Sequence, residues 1–424
     1  MVNENFIFKK SGFFLFFLFV NVFVPTLSNA QNTLSTSDIL SSAKQQYVLG
    51  LQQQRIDFLK NSTHKLPLVD EMEFRTETND FKLEEQQYVL RGRFHTKAQQ
   101  RAHADFQQAK IELNTIEEQL LMQDLLRERY DAIVKVSYFE KLLVAKKAQK
   151  ILLEDRMTVL KKSINLPKFN ILDLIDAEDD LHEADRDILR IKNGLTLAQQ
   201  QIFRYSNQRG YLKTDVQLID IEEVMKVVRS LSSEPSTAHA TLVKRNLNVN
   251  LAAKEQAIRR TQEENTVDYF QAKIGGTDDN GFKQNFSLGM GITIPVRNRQ
   301  QDNLDELEFE KIDENLKYEE LKIELKERMT QIRLEMENQF ELYQLLGQQL
   351  ENSQADEVLK QYQKIAGASP IAMLKLKGSQ FKKELEQFSV QQNIYVLYVE
   401  LLDASGKMME LPLRNYLMGS LEEF

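Results

Sequence analysis

The sequence has no cysteine, and only 15 glycines and 7 prolines interrupt its 424 residues. Without cysteine the chain has no disulfide framework, no thiolate metal site and no acceptor for an N-terminal lipid anchor. Beyond residue 30, no apolar run approaches the roughly 20 residues that a membrane-spanning helix needs. The formal net charge of −8 is a modest acidic balance, which argues against nucleic acid as a partner. If the remaining chain enters a membrane, it must do so through strands.

Residues 1–30 have the pattern of a cleaved secretory signal peptide. Lys9 and Lys10 precede an apolar run from Gly12 to Val24, and Ser28-Asn29-Ala30 supplies the small residues that a signal peptidase requires. We therefore expect an exported protein that is not a lipoprotein, and we leave this segment out of the fold.

Glycine and proline cluster at a few positions, and the intervals between them predict long helices. From Lys97 to about Ser163 neither residue occurs, and apolar residues recur every three or four positions. Such a helix would be roughly 100 Å long. Asn165-Leu166-Pro167 ends it, and a second helix from Asn170 to Tyr205 returns. A coiled coil of ordinary type is an alternative explanation of this pattern.

Two parts of the chain contain short runs in which apolar and polar residues alternate, as they do in strands. Residues 267–274 and 284–295 flank a glycine-rich turn and predict one hairpin, and residues 71–94 predict another. A tilted strand of about 10 residues crosses a bilayer. The candidate lipid-facing residues are Phe286, Leu288, Met290, Ile292 and Ile294. The candidate lumen-facing residues are Glu73, Arg75, Glu77, Arg91 and Arg93, which in a soluble sheet would face water instead. Aromatic candidates for the membrane interface are Tyr269, Phe270, Phe282 and Phe286.

The two halves of the chain share one order of elements: helix, hairpin, long helix, tight turn and return helix. The first repeat covers 31–231, with a helix over 35–62, the hairpin at 71–94, the helical hairpin 97–205 and a connector. The second repeat covers 232–407, with a helix over 240–264, the hairpin at 267–294, a long helix over 300–366 and a return helix over 371–405. Residues 408–424 form a C-terminal tail.

This order of elements resembles that of the TolC-like outer-membrane efflux proteins. Two local patterns support the resemblance: the strand ending Gly-Met-Gly-Ile-Thr-Ile-Pro-Val at 289–296, and the run from Ile171 to Glu178 after the first helical tip. The resemblance implies a mainly α fold with a small β part, in which three copies form an α-barrel tunnel. That tunnel is continuous with a twelve-stranded outer-membrane β-barrel, to which each copy contributes four strands.

The resemblance also implies a function and partners. The protein would be the channel or exit duct of a tripartite efflux or type I secretion-like export system. It would reside in outer-membrane lipid, extend into the periplasm, and work with a periplasmic adaptor (membrane fusion) protein and an inner-membrane transporter. It would have no catalytic activity and no cofactor or metal.

The helical tips carry the remaining candidates. Asp173 and Asp176 are candidate gate residues, because rings of like charge at a constriction attract cations; equally, they are acids stabilised at a helix N-terminus. In the second tip the corresponding positions are Met373 and Leu376, flanked by lysines, which departs from the acidic ring of well-known family members. Candidate adaptor contacts, which could instead pack between hairpins, are Leu166, Phe169, Gly367, Ile371 and Met373.

Two other functions remain as alternatives. A soluble periplasmic coiled-coil protein, structural or itself an adaptor, would also have long polar helices, but it would need no detergent and would form no heat-sensitive trimer. A secreted enzyme is less consistent with the sequence. The five histidines show no ligand spacing, and no nucleophile or phosphate-loop motif occurs.

Overall fold

A computed structural model describes residues 34–62, 66–78, 86–165, 169–206, 218–263, 265–275, 286–293, 298–351 and 370–424, with the backbone alone for 298–303. The helices are α1 (Thr36–Ser41), α2 (Tyr47–Asn61), α3 (Lys97–Lys162), α4 (Ile171–Ser206), α5 (Ile221–Ser230), α6 (Ala240–Glu263), α7 (Asn298–Glu351) and α8 (Pro370–Ala404). Short 3₁₀ turns occupy Ser42–Gln45 and Lys407–Met409. The strands are β1 (Val69–Thr78), β2 (Gln86–Phe94), β3 (Val267–Ile274) and β4 (Phe286–Ile292).

The predicted helical hairpin over 97–205 is confirmed by α3 and α4. Thr96 starts α3 with a capping box, in which its side chain accepts from the Gln99 amide and the Gln99 side chain accepts from the Thr96 amide. The Asn170 side chain accepts from the amide of Leu172 at 3.1 Å, as expected of a cap before α4. In the second half α7 confirms the helix predicted over 300–366 as far as Glu351, and α8 confirms the predicted return helix. The last part of the first helix and the predicted second tip turn fall within 352–369, outside the described residues.

The helix predicted over 35–62 is wrong as a single element. Ser35 caps only the short helix α1; the chain then passes through a 3₁₀ turn and an extended Gln46 before α2 begins. The break is stabilised at Ser42, whose hydroxyl donates to the Ile39 carbonyl at 2.6 Å and accepts from Arg129 Nε at 3.0 Å. Before Gln46, Ile39, Leu40 and Ala43 are completely buried in the main hydrophobic core. After the break, α2 packs along α3.

The main core lies around the middle of α3, where α1, α4, α5, α7 and α8 converge. Residues 408–424, predicted as a tail, pack onto this core. Tyr130 Oη donates to the Arg414 carbonyl at 2.9 Å, the buried Asn415 side chain donates to Thr36 Oγ1 at 2.7 Å, and the Ile219 amide donates to the Leu417 carbonyl at 2.8 Å. The core therefore joins residues from both ends of the described chain.

The sheet is antiparallel throughout, in the order β1-β2-β3-β4. Both predicted hairpins are confirmed, and β2 pairs with β3 to join them. The register shifts once in each hairpin, between Val69 and Glu71 in β1 and between Val267 and Tyr269 in β3. In the described sheet β1 and β4 are the outer strands, each with one edge that carries no partner strand.

Candidate functional site

One face of the sheet is apolar and uncovered. Leu288 is 76% exposed, more than any other large apolar side chain of β4. The same exposed face carries Met72, Phe74, Tyr88, Leu90, Phe94, Phe270, Phe286, Met290 and Ile292. The predicted lipid-facing residues of β4 therefore share one exposed face, except Ile294, which lies outside the described residues. A contiguous apolar patch of this kind marks a surface that contacts something other than water.

The opposite face carries ion pairs centred on Glu73. Its Oε1 accepts from Arg75 Nε at 2.7 Å, and its Oε2 accepts from Arg91 Nη1 at 3.4 Å. Arg93 lies 3.1 Å from Glu71 Oε2 and 3.6 Å from Asp268 Oδ1. Three of the five predicted lumen-facing residues, Glu73, Arg75 and Arg91, are thus in one network, and Glu73 and Arg91 are directly opposed in the β1–β2 register. The fourth, Arg93, lies on the same face in a second set of ion pairs with Glu71 and Asp268.

The fifth predicted residue, Glu77, lies on the same face but opposes Gln87 rather than an arginine. The sequence prediction did not include Glu71 and Asp268, the two partners of Arg93. Glu71 is two residues before Glu73 in β1, so the alternation of faces that identified Glu73 also identifies Glu71. Asp268 lies at the register shift at the start of β3, and alternation alone does not predict where a register shift occurs.

Two glycines of β4 lie under side chains of β3 on this polar face. Gly291 opposes Tyr269 and Gly289 opposes Gln271. The guanidinium carbon of Arg91 sits 4.0 Å from the centroid of the Tyr269 ring, within cation–π range. Tyr269 is therefore separated from the apolar aromatics Phe270 and Phe286 with which it was grouped, and the structure places it on the polar face; Phe282 lies outside the described residues.

At the tip, Asp173 of α4 and Lys375 of α8 form an ion pair, with 3.2 Å between Oδ1 and Nζ. Asp173 is half-buried, whereas Asp176, one turn later, is exposed. The pair joins the two helical hairpins of the chain. The two candidate gate acids are therefore in different environments, since only Asp173 has a lysine partner in the described part of the tip.

The tip has its own small core, formed by Met157, Leu160 and Ala177. Of the candidate adaptor contacts, Phe169 and Ile371 pack against this core, which is the alternative that the sequence left open, and Met373 is half-buried. Leu166 and Gly367 lie outside the described residues.

An exposed aliphatic patch near the same tip was missed by the sequence reasoning. Its members are Ile171, Leu172 and Ile175 in the first turns of α4, which are each about half exposed or more. The i, i+4 spacing of Ile171 and Ile175 was a visible signal, because residues four apart share one helix face. Asp176 and Asp179 lie beside the patch on α4 and are exposed.

His239, at the start of α6, is a buried titratable group away from the sheet and the tip. It is 3% exposed. Its Nδ1 accepts from the Thr241 amide at 3.3 Å, so Nε2 is the protonated nitrogen and donates to the Asp403 carbonyl at 3.2 Å. Burial lowers the pKa of His239. The neutral imidazole makes both hydrogen bonds, whereas a proton on Nδ1 would place its N–H against the amide N–H of Thr241.

Within the described ranges, no three histidine or acidic side chains are grouped as metal ligands. None of the described helices combines the length and hydropathy needed to span a membrane.

No protein-family model matches the sequence, and no curated protein matches it. Solved structures do match. The outer membrane protein VceC from Vibrio cholerae is 13% identical, with 88% of this chain and 96% of that chain covered and a TM-score of 0.65. The open state of the MtrE outer membrane channel of Neisseria gonorrhoeae is 11% identical, with 88% of each chain covered and a TM-score of 0.66. The chain therefore has the TolC-like fold that its order of elements predicted.

Proposed function

We propose that this chain is one protomer of an outer-membrane exit duct, which carries export substrates across the periplasm and the outer membrane. The observation that carries the proposal is the two-faced sheet, with large exposed apolar side chains on one face and ion pairs on the other. A transmembrane β-barrel needs this arrangement, because its outer face meets lipid and its inner face meets water. In this proposal the apolar face contacts outer-membrane lipid and the polar face lines the lumen.

The open edges of the sheet support assembly from several copies. Lipid has no water to satisfy the backbone groups of β1 and β4, so an open sheet cannot stay in a bilayer. Four strands are also too few to close, because about 8 is the smallest number whose interior packs. Copies of the chain therefore pool their strands, with β1 of one copy beside β4 of the next.

The helices support the same head-to-tail arrangement. On the sheet side of the core, α2 packs on α3, α3 on α6, and α6 on α7; on the tip side the order is α4, α3, α8 and α7. The outer helices carry exposed apolar side chains: Tyr47, Val48, Leu51 and Phe58 on α2, Leu189 and Leu197 on α4, and Phe309, Ile312, Leu316 and Ile323 on α7. The two edges of the helical layer are therefore different apolar surfaces. When one edge of a copy packs against the other edge of the next copy, the repeated contact closes into a ring. The number of three copies is taken from the fold resemblance.

The tip is the proposed gate and docking region. The Asp173–Lys375 pair would hold the two hairpins of a copy together, and its separation would accompany opening. Because Lys375 neutralises Asp173, Asp176 is the acid that would contribute charge to a gate ring. The aliphatic patch with its neighbouring acids would receive a periplasmic adaptor that presents aliphatic and basic side chains, and the adaptor would connect the duct to an inner-membrane transporter.

Disulfide cross-linking tests the proposed assembly, since the chain has no cysteine of its own. Thr76→Cys in β1 is combined in turn with cysteine at Phe286, Leu288 and Met290 in β4, and the membrane fraction is oxidised. We expect at least one pair to link copies into dimers and trimers and no larger species.

The control is Thr76→Cys with Tyr88→Cys, which are direct partners within one chain. This pair should form an internal disulfide and leave the mass of the denatured chain unchanged. If none of the β1–β4 pairs links two chains and the protein is recovered without detergent, the duct is refuted and the soluble coiled-coil interpretation is favoured.

A further inference from the structure

We propose that Tyr269 sets the width of the conduit where the helices meet the sheet, and that Gly291 keeps the Tyr269 ring flat against the wall. The inference rests on the proposed function, in which the polar face of the sheet lines the lumen. It assigns an aperture role to a single side chain of this chain.

The first argument is the space above Gly291. Tyr269 and Gly291 are direct partners in the β3–β4 register. A Cβ placed on Gly291 would lie 2.6 Å from Tyr269 Cζ and closer still to Cε1. The ring therefore occupies the volume that any larger residue at 291 would need, and it lies across the strand instead of standing away from the sheet.

The second argument is the arginine above the ring. Arg91 is stacked on Tyr269 with 4.0 Å between guanidinium carbon and ring centroid, and its Nη1 also donates to Glu73 Oε2. The Arg91 side chain is only 21% exposed, although it lies on a face that no apolar layer covers. The side chains of Glu73, Arg91 and Tyr269 thus form a continuous band pressed against the sheet, and the Tyr269 ring ends it over the bare backbone of Gly291. We call these four residues, one from each strand, the wall band.

The third argument is the position of the wall band along the conduit. Gly291 is followed by Ile292, the last residue of β4, and Tyr269 lies close to the first residue of β3, Val267. Both strand ends lead towards helices, α7 after β4 and α6 before β3. When copies pool their sheets, the wall band becomes a ring at the passage from the helical tunnel into the strands. A tyrosine released there would project into the lumen.

The neighbouring pair provides a matched comparison. Gly289 opposes Gln271, and a Cβ at 289 would meet Gln271 Nε2 at 3.1 Å. That atom is the end of a flexible side chain, which can move aside, whereas the Tyr269 ring is rigid and sits directly over Gly291. Adding one methyl group to each glycine therefore gives two variants of the same strand with different expected effects.

Single-channel conductance in planar lipid bilayers tests the inference, with oligomers purified from the outer-membrane fraction. We expect Gly291→Ala to lower the conductance by about half, because each displaced ring narrows the pore, and Gly289→Ala to leave it near the wild-type value. Adding Tyr269→Ser to Gly291→Ala should restore the conductance, which a general folding defect would not allow.

A second pair keeps the test informative if Gly291→Ala fails to assemble. Tyr269→Leu should raise the conductance, whereas Phe270→Leu, on the apolar face, should leave it unchanged. Wild-type conductance in an assembled Gly291→Ala variant, or equal effects of the Tyr269 and Phe270 substitutions, would overturn the aperture role while leaving the duct intact. A wild-type protein that forms no channel would refute the duct itself, and the inference with it.

Discussion

The substitution Leu288→Arg measures what the apolar face of the sheet contacts. Leu288 is 76% exposed, so in water the change removes little packing and should alter the free energy of unfolding by no more than about 0.5 kcal/mol. On the lipid-facing surface of a barrel, an arginine near the bilayer midplane costs about 2–4 kcal/mol. Leu288 lies next to the central residue of β4, and we therefore expect a cost within this range.

That difference is large enough to measure. At about 1.4 kcal/mol for each factor of ten, a cost of about 2–4 kcal/mol lowers the ratio of folded to unfolded protein by roughly 30- to 700-fold. The assay is denaturant unfolding of the protein refolded into lipid vesicles, followed by the fraction that keeps the mobility of the folded oligomer. The control is Gln87→Arg on the polar face, where the new guanidinium opposes Glu77 and should cost little.

Equal and small effects of Leu288→Arg and Gln87→Arg would refute the reasoning, because the apolar face would then contact water. A large cost for Gln87→Arg with a small cost for Leu288→Arg would show that the two faces of the sheet have been assigned the wrong way round.

Three further predictions concern the charges of the lumen, the tip and the core. Glu73→Gln releases two arginines and should shift the reversal potential in a salt gradient towards anion preference, more than Glu77→Gln, which removes the same charge without freeing an arginine. Lys375→Ala should raise the open probability, although the pair with Asp173 contributes only about 0.2–1 kcal/mol because both groups are partly exposed. His239 should make the protein less stable in acid: its pKa is lowered by burial, so below about pH 6.5 the unfolded chain takes up a proton that the folded core rejects.

Each of these predictions has a result that would contradict it. Identical shifts for the Glu73 and Glu77 variants would mean that net charge alone, and not the freed arginines, sets ion preference. An unchanged open probability in both Lys375→Ala and Asp173→Ala would remove the pair from gating. For His239, denaturant midpoints compared at pH 7.5 and 5.5 should fall less in His239→Gln than in the wild type, and parallel falls would assign the acid sensitivity to other groups.

The long elements were predictable because each depends on local signals. The absence of glycine and proline between Lys97 and Ser163, with apolar residues every three or four positions, predicted a long helix. The strict alternation of apolar and polar residues in β4 predicted a strand. The capping residues Thr96 and Asn170 lie directly before α3 and α4. The fold class followed from the order of these elements, and the solved structures of similar fold agree with it.

The rest depends on contacts between distant residues. Asp173 and Lys375 are far apart in the sequence, and nothing local to either one specifies the ion pair. Phe169 packs in the tip core because Met157, Leu160 and Ala177 are brought beneath it by two different helices. The break at Ser42 depends on the buried Arg129, whose Nε donates to that hydroxyl. The position of Tyr269 over Gly291 needs the β3–β4 register, which the alternation pattern alone does not fix.

The central claim is that copies of this chain form a membrane-embedded duct, and fractionation of the native host followed by sizing in mild detergent tests it most directly. The proposed function predicts a trimer in the outer-membrane fraction that requires detergent and dissociates only on boiling. A monomer or dimer recovered from the periplasm without detergent would contradict it, because the exposed apolar face and the open strand edges would then have no lipid or neighbouring copy to contact.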